Sequence, residues 1–554
     1  MDKRLRENSI IMHISSLSGP FGIGTFGEEA RRFVDKLVAA EVTYWQVLPF
    51  TQPGAGDSPY SSTSAFAGNI WFIDPRGLVE DGLLTWQEVK QFEYNGDVHA
   101  VDYDFVRQNS ELYLRLAYTR ADNEIMGQVL NFVKERRWLH DYGAFTVIRN
   151  YYRKLPWWEW EEVGLKTHDN EALNAFLDEH LTELQYIYFT QWLFHKQWSD
   201  LRDYANKKGV GFIGDMPFYV AADSSDIWSN MRYFLLDEDL NMEVVSGVPP
   251  DYFSEDGQLW GNPIYDWDEL AKDDFAWWVE RIRFSLEMFN RVRIDHFRGF
   301  ESYWAVPFGE TTARNGEWRK GPAMSLFNTV RRYLGDVNII AEDLGDINDN
   351  VRDFLKESGF PGMKVLQFAF NPYFDDSDLP HSYIKNLCAY TGTHDNNTSL
   401  GWICAAGKDE RNYALEYVGY PIDGDWMGGG ANSAVCKTLV RAVWSSVAFL
   451  AVAPMQDFLG YGSDARMNIP GVPSGNWRWR VGPGVLEGWD VKWLKRMNII
   501  YGRNRAFVQP IDRTLLTSTE LDAAIYQARR EDRREPVLEQ LSKLDNPKSD
   551  RSVE

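Results

Sequence analysis

The feature that most restricts how this chain can fold is a recurring pattern. Short apolar, β-branched segments bounded by Gly, Pro or polar residues appear again and again, several of them leading into a helix-like stretch. Eight such segments occupy 10–14, 44–50, 211–216, 292–297, 338–343, 364–370, 388–394 and 449–457. Short apolar runs that feed helices are the mark of parallel βα units. Eight of them predict an α/β fold, a closed TIM (β/α)8 barrel. A chain of 554 residues is more than one compact core usually holds, and length alone does not choose between two or three domains and one barrel with large insertions.

Two long intervals supply them. Within 51–208, apolar residues recur at three- and four-residue steps over 181–207, which predicts an inserted, mainly helical subdomain. The interval 218–291 is rich in Pro, Gly and aromatics around 247–267 and reads as elaborated substrate loop rather than regular structure. The catalytic barrel then spans 1–505. The remainder, 506–554, is a polar C-terminal extension with a charged helix at 523–541.

Composition removes whole classes of function. A net charge of −23, with no local run of Lys and Arg, repels phosphate backbones and anionic membranes, so neither nucleic acid nor a bilayer is an expected partner. The N-terminal residues are charged and lack a signal-peptide core, and the apolar stretch 439–455 is broken by Arg441. Cys388, Cys404 and Cys436 lie far apart, without zinc or disulfide spacing, and read as buried small residues of a reducing, cytoplasmic compartment. The 23 Trp exceed what core filling needs; flat rings suit the C–H faces of sugars, although each ring taken singly is also a large core residue.

In a TIM barrel the chemistry sits at the C-terminal strand ends. Three candidate strands end in carboxylates. In Arg291-Val-Arg-Ile-Asp-His-Phe-Arg-Gly299, Arg293 and Asp295 are two apart and share one face of a strand, where the guanidinium keeps the carboxylate ionised. Ile339-Ile-Ala-Glu-Asp-Leu-Gly345 delivers Glu342, which partial burial would tune towards general-acid duty, with Asp343 facing away. Tyr390-Thr-Gly-Thr-His-Asp-Asn396 places His394 and Asp395 at the third tip, suited to holding sugar hydroxyls. A single strand-end acid is more often a solvated loop residue or a helix N-cap. Three on strands four, five and seven of one barrel are not so easily dismissed.

The Asp, Glu and Asp segments in this order resemble the catalytic regions of the α-amylase superfamily. The surrounding words resemble glycoside hydrolase family 77, the amylomaltases or 4-α-glucanotransferases. The most specific are His13-Ile-Ser-Ser-Leu17, Trp45-Gln-Val-Leu-Pro49, Ser58-Pro-Tyr60, Gly214-Asp-Met-Pro-Phe-Tyr-Val220, Gly247-Val-Pro-Pro-Asp-Tyr-Phe253, Trp260-Gly-Asn-Pro263, Arg466-Met-Asn468 and Asn476-Trp-Arg-Trp479. The resemblance implies transfer of α-1,4-glucan segments from a maltooligosaccharide donor to the 4-OH of a glucose or glucan acceptor. Asp295 would be the nucleophile, Glu342 the acid/base and Asp395 the stabiliser of the distorted sugar, in a retaining double displacement that needs two carboxyls about 5 Å apart. It further implies substrate contacts for Tyr60, Asp215, Arg293, His394 and Asn468, and a loop bearing Tyr252 and Phe253, followed by Trp260, that closes over glucan. Neither metal nor cofactor is implied. Asn397, where the family usually has Asp, and Met216 and Phe218 depart from the pattern without removing a catalytic group.

Two rivals share the scaffold. A glucan hydrolase keeps all three carboxylates and differs in how wet the acceptor side is. A silent glucan binder has no use for a strained carboxylate cluster, which argues against it. A metal enzyme is a third reading, but His296 and His394 lack the i, i+4 spacing of a zinc helix.

Overall fold

The computed structural model describes residues 6–250, 254–345, 347–371 and 378–504. Its centre is an eight-stranded sheet of parallel pairs: β1 Glu7–Ile11, β2 Tyr44–Gln46, β3 Gly211–Met216, β4 Arg291–Ile294, β5 Ile339–Ala341, β6 Gly362–Val365, β7 Leu387–Tyr390 and β8 Leu450–Pro454. The ladder runs β6-β7-β8-β1-β2-β3-β4-β5. Each of the eight segments read from the sequence therefore supplies one strand, and the fold is the expected TIM barrel.

The seam between β5 and β6 is closed by other means. The Ala341 N–H donates to the Pro361 carbonyl at 2.9 Å. Asp343, just past β5, accepts the Met363 N–H at 2.6 Å. The acid beside Glu342 thus faces away from it and stitches the barrel shut, while burial lifts its own pKa to about 6.

Side-chain alternation along the strands divides inside from outside. Ile11, Tyr44, Ile213, Ile340, Met363, Val365, Cys388, Tyr390 and Val452 fill the barrel interior, so it is a packed core and not a pore. On β4 the outward Val292 and Ile294 join the core beneath the helices. The inward row is charged. Arg291 lies between the Tyr44 and Phe449 rings, 4.8 and 5.1 Å from their centroids, and pairs with Glu7 at 2.7 Å. Arg293 follows one layer higher, and Asp295 emerges at the mouth.

Between β2 and β3 the chain is helical. Pro75–Glu80, Trp86–Gln91, Tyr103–Tyr118, Asn123–Lys134, Arg137–Tyr151 and Asn170–Glu179 precede the long helix Leu181–Lys207. Most start where the sequence offers a cap: the side chains of Asp74, Asp102, Asp122 and Asp169 accept first-turn N–H groups, and Thr85 and Glu88 form a capping box. Most of the Trp residues are buried packing elements, among them Trp45, Trp198, Trp228, Trp277, Trp278 and Trp444. Core filling, the plainer reading, accounts for them.

Two sequence expectations need correction. The interval 218–291 is not mainly loop. It holds the helix Ala276–Met288 and the strands Val244–Val248 and Gln258–Pro263, which join Ser302–Pro307 and Glu317–Lys320 in an antiparallel four-stranded sheet. A register shift near Val245 and Gly247, opposite Gly261 with φ +76°, breaks the two-residue alternation that would have revealed these strands. Cys404 is exposed, while Cys388 and Cys436 are buried, and none of the three forms a disulfide. The charged helix expected at 523–541 lies outside the described residues. Among the described residues no helix is long and apolar enough to cross a membrane.

At the base of the barrel the fully buried Arg503 donates to the carbonyls of Glu7, Trp444, Ser446, Ala448 and Phe449, at 2.8–3.3 Å. Burial, reinforced by Arg6, pulls its pKa down to about 9, yet it stays charged at neutral pH. Arg503→Met removes these five bonds, although the Trp444 and Ser446 carbonyls keep Arg6 and the Phe449 carbonyl keeps the Glu7 N–H. We expect it to lower the unfolding free energy by at least about 3 kcal/mol, measured by urea denaturation against the parent protein.

Candidate active site

The C-terminal ends of β3, β4, β5 and β7 bring the expected residues to one mouth. Arg293 is their hub. Its Nη1 donates to both oxygens of Asp215, at the end of β3, at 2.7 and 2.9 Å, and its Nη2 lies 2.9 Å from Asp295 Oδ1. The Asp215 side chain is wholly inaccessible, whereas that of Asp295 is 32% exposed. One guanidinium thus neutralises a buried carboxylate behind it and orients an open one in front.

Tyr60 completes the rear wall. Its hydroxyl donates to Asp215 Oδ2 at 2.8 Å, and its ring stacks on His394 with centroids 5.1 Å apart. Trp477, in a left-handed backbone conformation with φ +66°, lies 5.7 Å from Tyr60 and 5.8 Å from His394, ring to ring.

Glu342 stands half-buried beyond β5. Each of its oxygens accepts one backbone N–H, from His296 at 2.7 Å and from Leu344 at 2.7 Å. Burial and then the charge of Asp295 raise its pKa to about 7; Arg293 and the two N–H donors hold it from rising further. A carboxyl so placed can both give and take a proton near neutral pH.

Asp395 is held oppositely. The enclosing mouth disfavours its charge, but His394 at 3.3 Å and the Asn468 amide, donating at 2.6 Å, outweigh that and keep it ionised well below the usual range. Arg466 fixes the same turn by donating to the Asp395 carbonyl at 2.5 Å. Burial lowers and Asp395 raises the His394 pKa, with a net upward shift. Behind it, burial and the nearby His394 push His13 down to about 3, so His13 stays neutral. The Leu48 N–H donates to its Nδ1 at 3.3 Å, which leaves the ring proton on Nε2.

Of the residues expected from the sequence, Asp295, Glu342, Asp395, Tyr60, Asp215, Arg293, His394 and Asn468 thus form one connected cluster. Trp260, 39% exposed, reaches it through His296, edge-on at 4.9 Å. Tyr252 and Phe253 lie outside the described residues. The sequence reading did not single out His296, Arg466 or Trp477 as site residues. Arg466 and Trp477 stood in quoted words, and His296 adjoins Asp295, but no spacing rule reports a backbone turn.

The family model described as 4-alpha-glucanotransferase matches residues 12–484. The chain belongs to this 4-alpha-glucanotransferase family. A 4-alpha-glucanotransferase of Clostridium butyricum is 45% identical over 495 residues, 89% of this chain and 100% of its own. One from Thermus thermophilus is 42% identical over 490 residues, 87% and 96% of the two chains. The solved amylomaltase of Streptococcus agalactiae, in complex with acarbose, superposes with a TM-score of 0.86 at 37% identity, covering 90% of this chain and 99% of that one. The present family member is accordingly an enzyme of the glucan-transferring class. Among its described residues no group of three or more His, Cys, Asp or Glu is arranged to hold a metal ion.

Arg293→Met removes the only cation that, among the described residues, is bonded to the inaccessible Asp215. We expect a loss of about 3–5 kcal/mol at pH 7. The loss shrinks as the pH falls and Asp215 takes up a proton, since its folded-state pKa without Arg293 is raised above the unfolded value. Urea denaturation at pH 7 and pH 5 checks both size and sign.

Proposed function

We propose that the enzyme transfers α-1,4-glucan segments by a retaining double displacement through a covalent glucosyl-enzyme on Asp295. The observation that carries this reading is the division of labour between two neighbouring carboxyls. Asp295 is paired with a guanidinium, which suits a nucleophile that must be charged. Glu342, shielded and set against Asp295, has a pKa of about 7, which suits a group that must give and then take a proton.

In the first half-reaction Asp295 attacks the anomeric carbon while Glu342 protonates the departing glycosidic oxygen. In the second, the now anionic Glu342 takes the proton from the acceptor 4-OH, which attacks the same carbon and releases Asp295. Asp395, fixed by Asn468 and Arg466, accepts hydrogen bonds from hydroxyls of the distorted sugar, strongest in the transition state. His394 contributes from beside it. Tyr60 and Asp215 act mainly through Arg293, because the Asp215 carboxylate is inaccessible.

Transfer in place of hydrolysis requires an acceptor sugar to outcompete water for the glucosyl-enzyme. Trp260, an exposed ring beside the mouth, offers an acceptor glucose a face to stack on, and Tyr252 and Phe253 precede it in sequence. The amylomaltase relative was solved with acarbose, which supports an oligosaccharide as the ligand of this mouth. Maltooligosaccharides and longer α-1,4-glucans are the proposed donors, and glucose or glucan the acceptor.

Incubation with maltotriose, resolved by chain length over time, should give glucose together with a ladder of longer maltooligosaccharides. Glucose and maltose without longer products would instead mark a hydrolase. Asp295→Asn is expected to reduce turnover by about 10⁴-fold or more while retaining glucan affinity; near-normal activity would refute the nucleophile. Because Glu342 must be protonated to assist departure, kcat/KM should fall as pH rises through about 7. Glu342→Gln should abolish that limb along with most activity.

A further inference from the structure

Beside the nucleophile the backbone does something the strand pattern does not require. In the regular parallel register of β4 and β5, the Val292 N–H donates to the Asn338 carbonyl at 3.0 Å, and the partners advance two residues at a time. By that rule the N–H of residue 296 would take the main-chain carbonyl of Glu342. It does not. His296 adopts a left-handed conformation, φ 50°, ψ 46°, unusual for a residue with a ring side chain. The Phe297 N–H takes the Glu342 carbonyl instead, at 3.0 Å. The N–H of His296 is thereby released to the Glu342 side chain, at 2.7 Å from Oε2.

We infer that His296 is a positioning residue: its left-handed turn inserts one extra residue after the nucleophile, and the N–H so freed aims the acid/base carboxyl. The inference rests on the roles proposed above for Asp295 and Glu342. Around the turn, Asp295 stays in register with β3, its N–H donating to the Met216 carbonyl at 3.0 Å, and the Glu342 N–H donates to Ile294 at 3.1 Å. Nucleophile and acid/base are therefore tied through a single peptide unit. The imidazole keeps the turn in place by packing edge-on to Trp260 at 4.9 Å, against Phe218 at 6.0 Å and beside Tyr219 at 6.1 Å.

The test separates backbone from ring. His296→Gly and His296→Asn accept a left-handed conformation; His296→Val resists it. We expect the Gly and Asn variants to keep kcat within about tenfold, with the main change in KM, and the Val variant to lose about 100-fold in kcat, as a small misplacement of a catalytic group does. Loss of an N–H donor to a carboxylate also raises its pKa. The alkaline limb of kcat/KM, set by Glu342 with Asp295 and Arg293 facing it, should move upward by about one pH unit in the Val variant and stay in place for Asn. If the Val protein does not fold, by circular dichroism and melting, His296→Ala replaces it, with the same direction and a smaller size. Equal losses of kcat in Gly and Val, or an unmoved limb in Val or Ala, would overturn the inference. Persistence of the alkaline limb in residual Glu342→Gln activity would instead overturn the role given to Glu342.

Discussion

The active mouth depends on a guanidinium taken out of water. Arg293 projects from β4 into the barrel, and its cost of desolvation is met by two carboxylates, one in front and one behind. Remove either partner and the balance changes for every group nearby: Asp215 is inaccessible and cannot be left charged alone, Asp295 loses its orientation, and Glu342 feels a different field. The Tyr60 hydroxyl on Asp215 extends the same arrangement to the loop after β2. A site built this way is rigid because its charges compensate one another within a few ångströms, and rigidity is what transition-state electrostatics require.

The same strand shows why the barrel and the chemistry are one problem. Arg291, Arg293 and Asp295 share the inward row of β4, so the alternation that seats Val292 and Ile294 beneath the helices also threads charges along the axis. At the base Arg291 is paired with Glu7 and sandwiched by rings; at the mouth Asp295 is open. A one-residue slip in β4 would turn the charged row towards the apolar layer and the apolar row into the barrel. Register, stability and catalysis are thus selected together.

Much of this was legible in the sequence because it follows short-range rules. Eight apolar runs gave the strands, and two-residue spacing put Arg293 beside Asp295. The helical period of 181–207 matches the helix Leu181–Lys207. What escaped was non-periodic. The antiparallel sheet built from Val244–Val248 and Gln258–Pro263 is interrupted by a register shift, so its alternation is broken in the sequence. The surplus of Trp proved mostly packing, since ring type reports neither burial nor partner. The turn at His296 was invisible because a left-handed residue other than Gly leaves no compositional trace. The role of Asn468 came from its place in a quoted motif, and only the fold shows that its amide is committed to Asp395.

Arg503, just after the helix Val491–Ile500, fastens the chain there to the N-terminal ends of β1 and β8, the face of the barrel opposite the carboxylates. The described chain therefore reaches Asn504 on the side of the barrel away from the mouth. Tethering the enzyme to a solid support through the exposed Lys495, which pairs with Glu41 just before β2 on that side, would leave its mouth facing free solution, where a glucan many times longer than the barrel is wide could still enter.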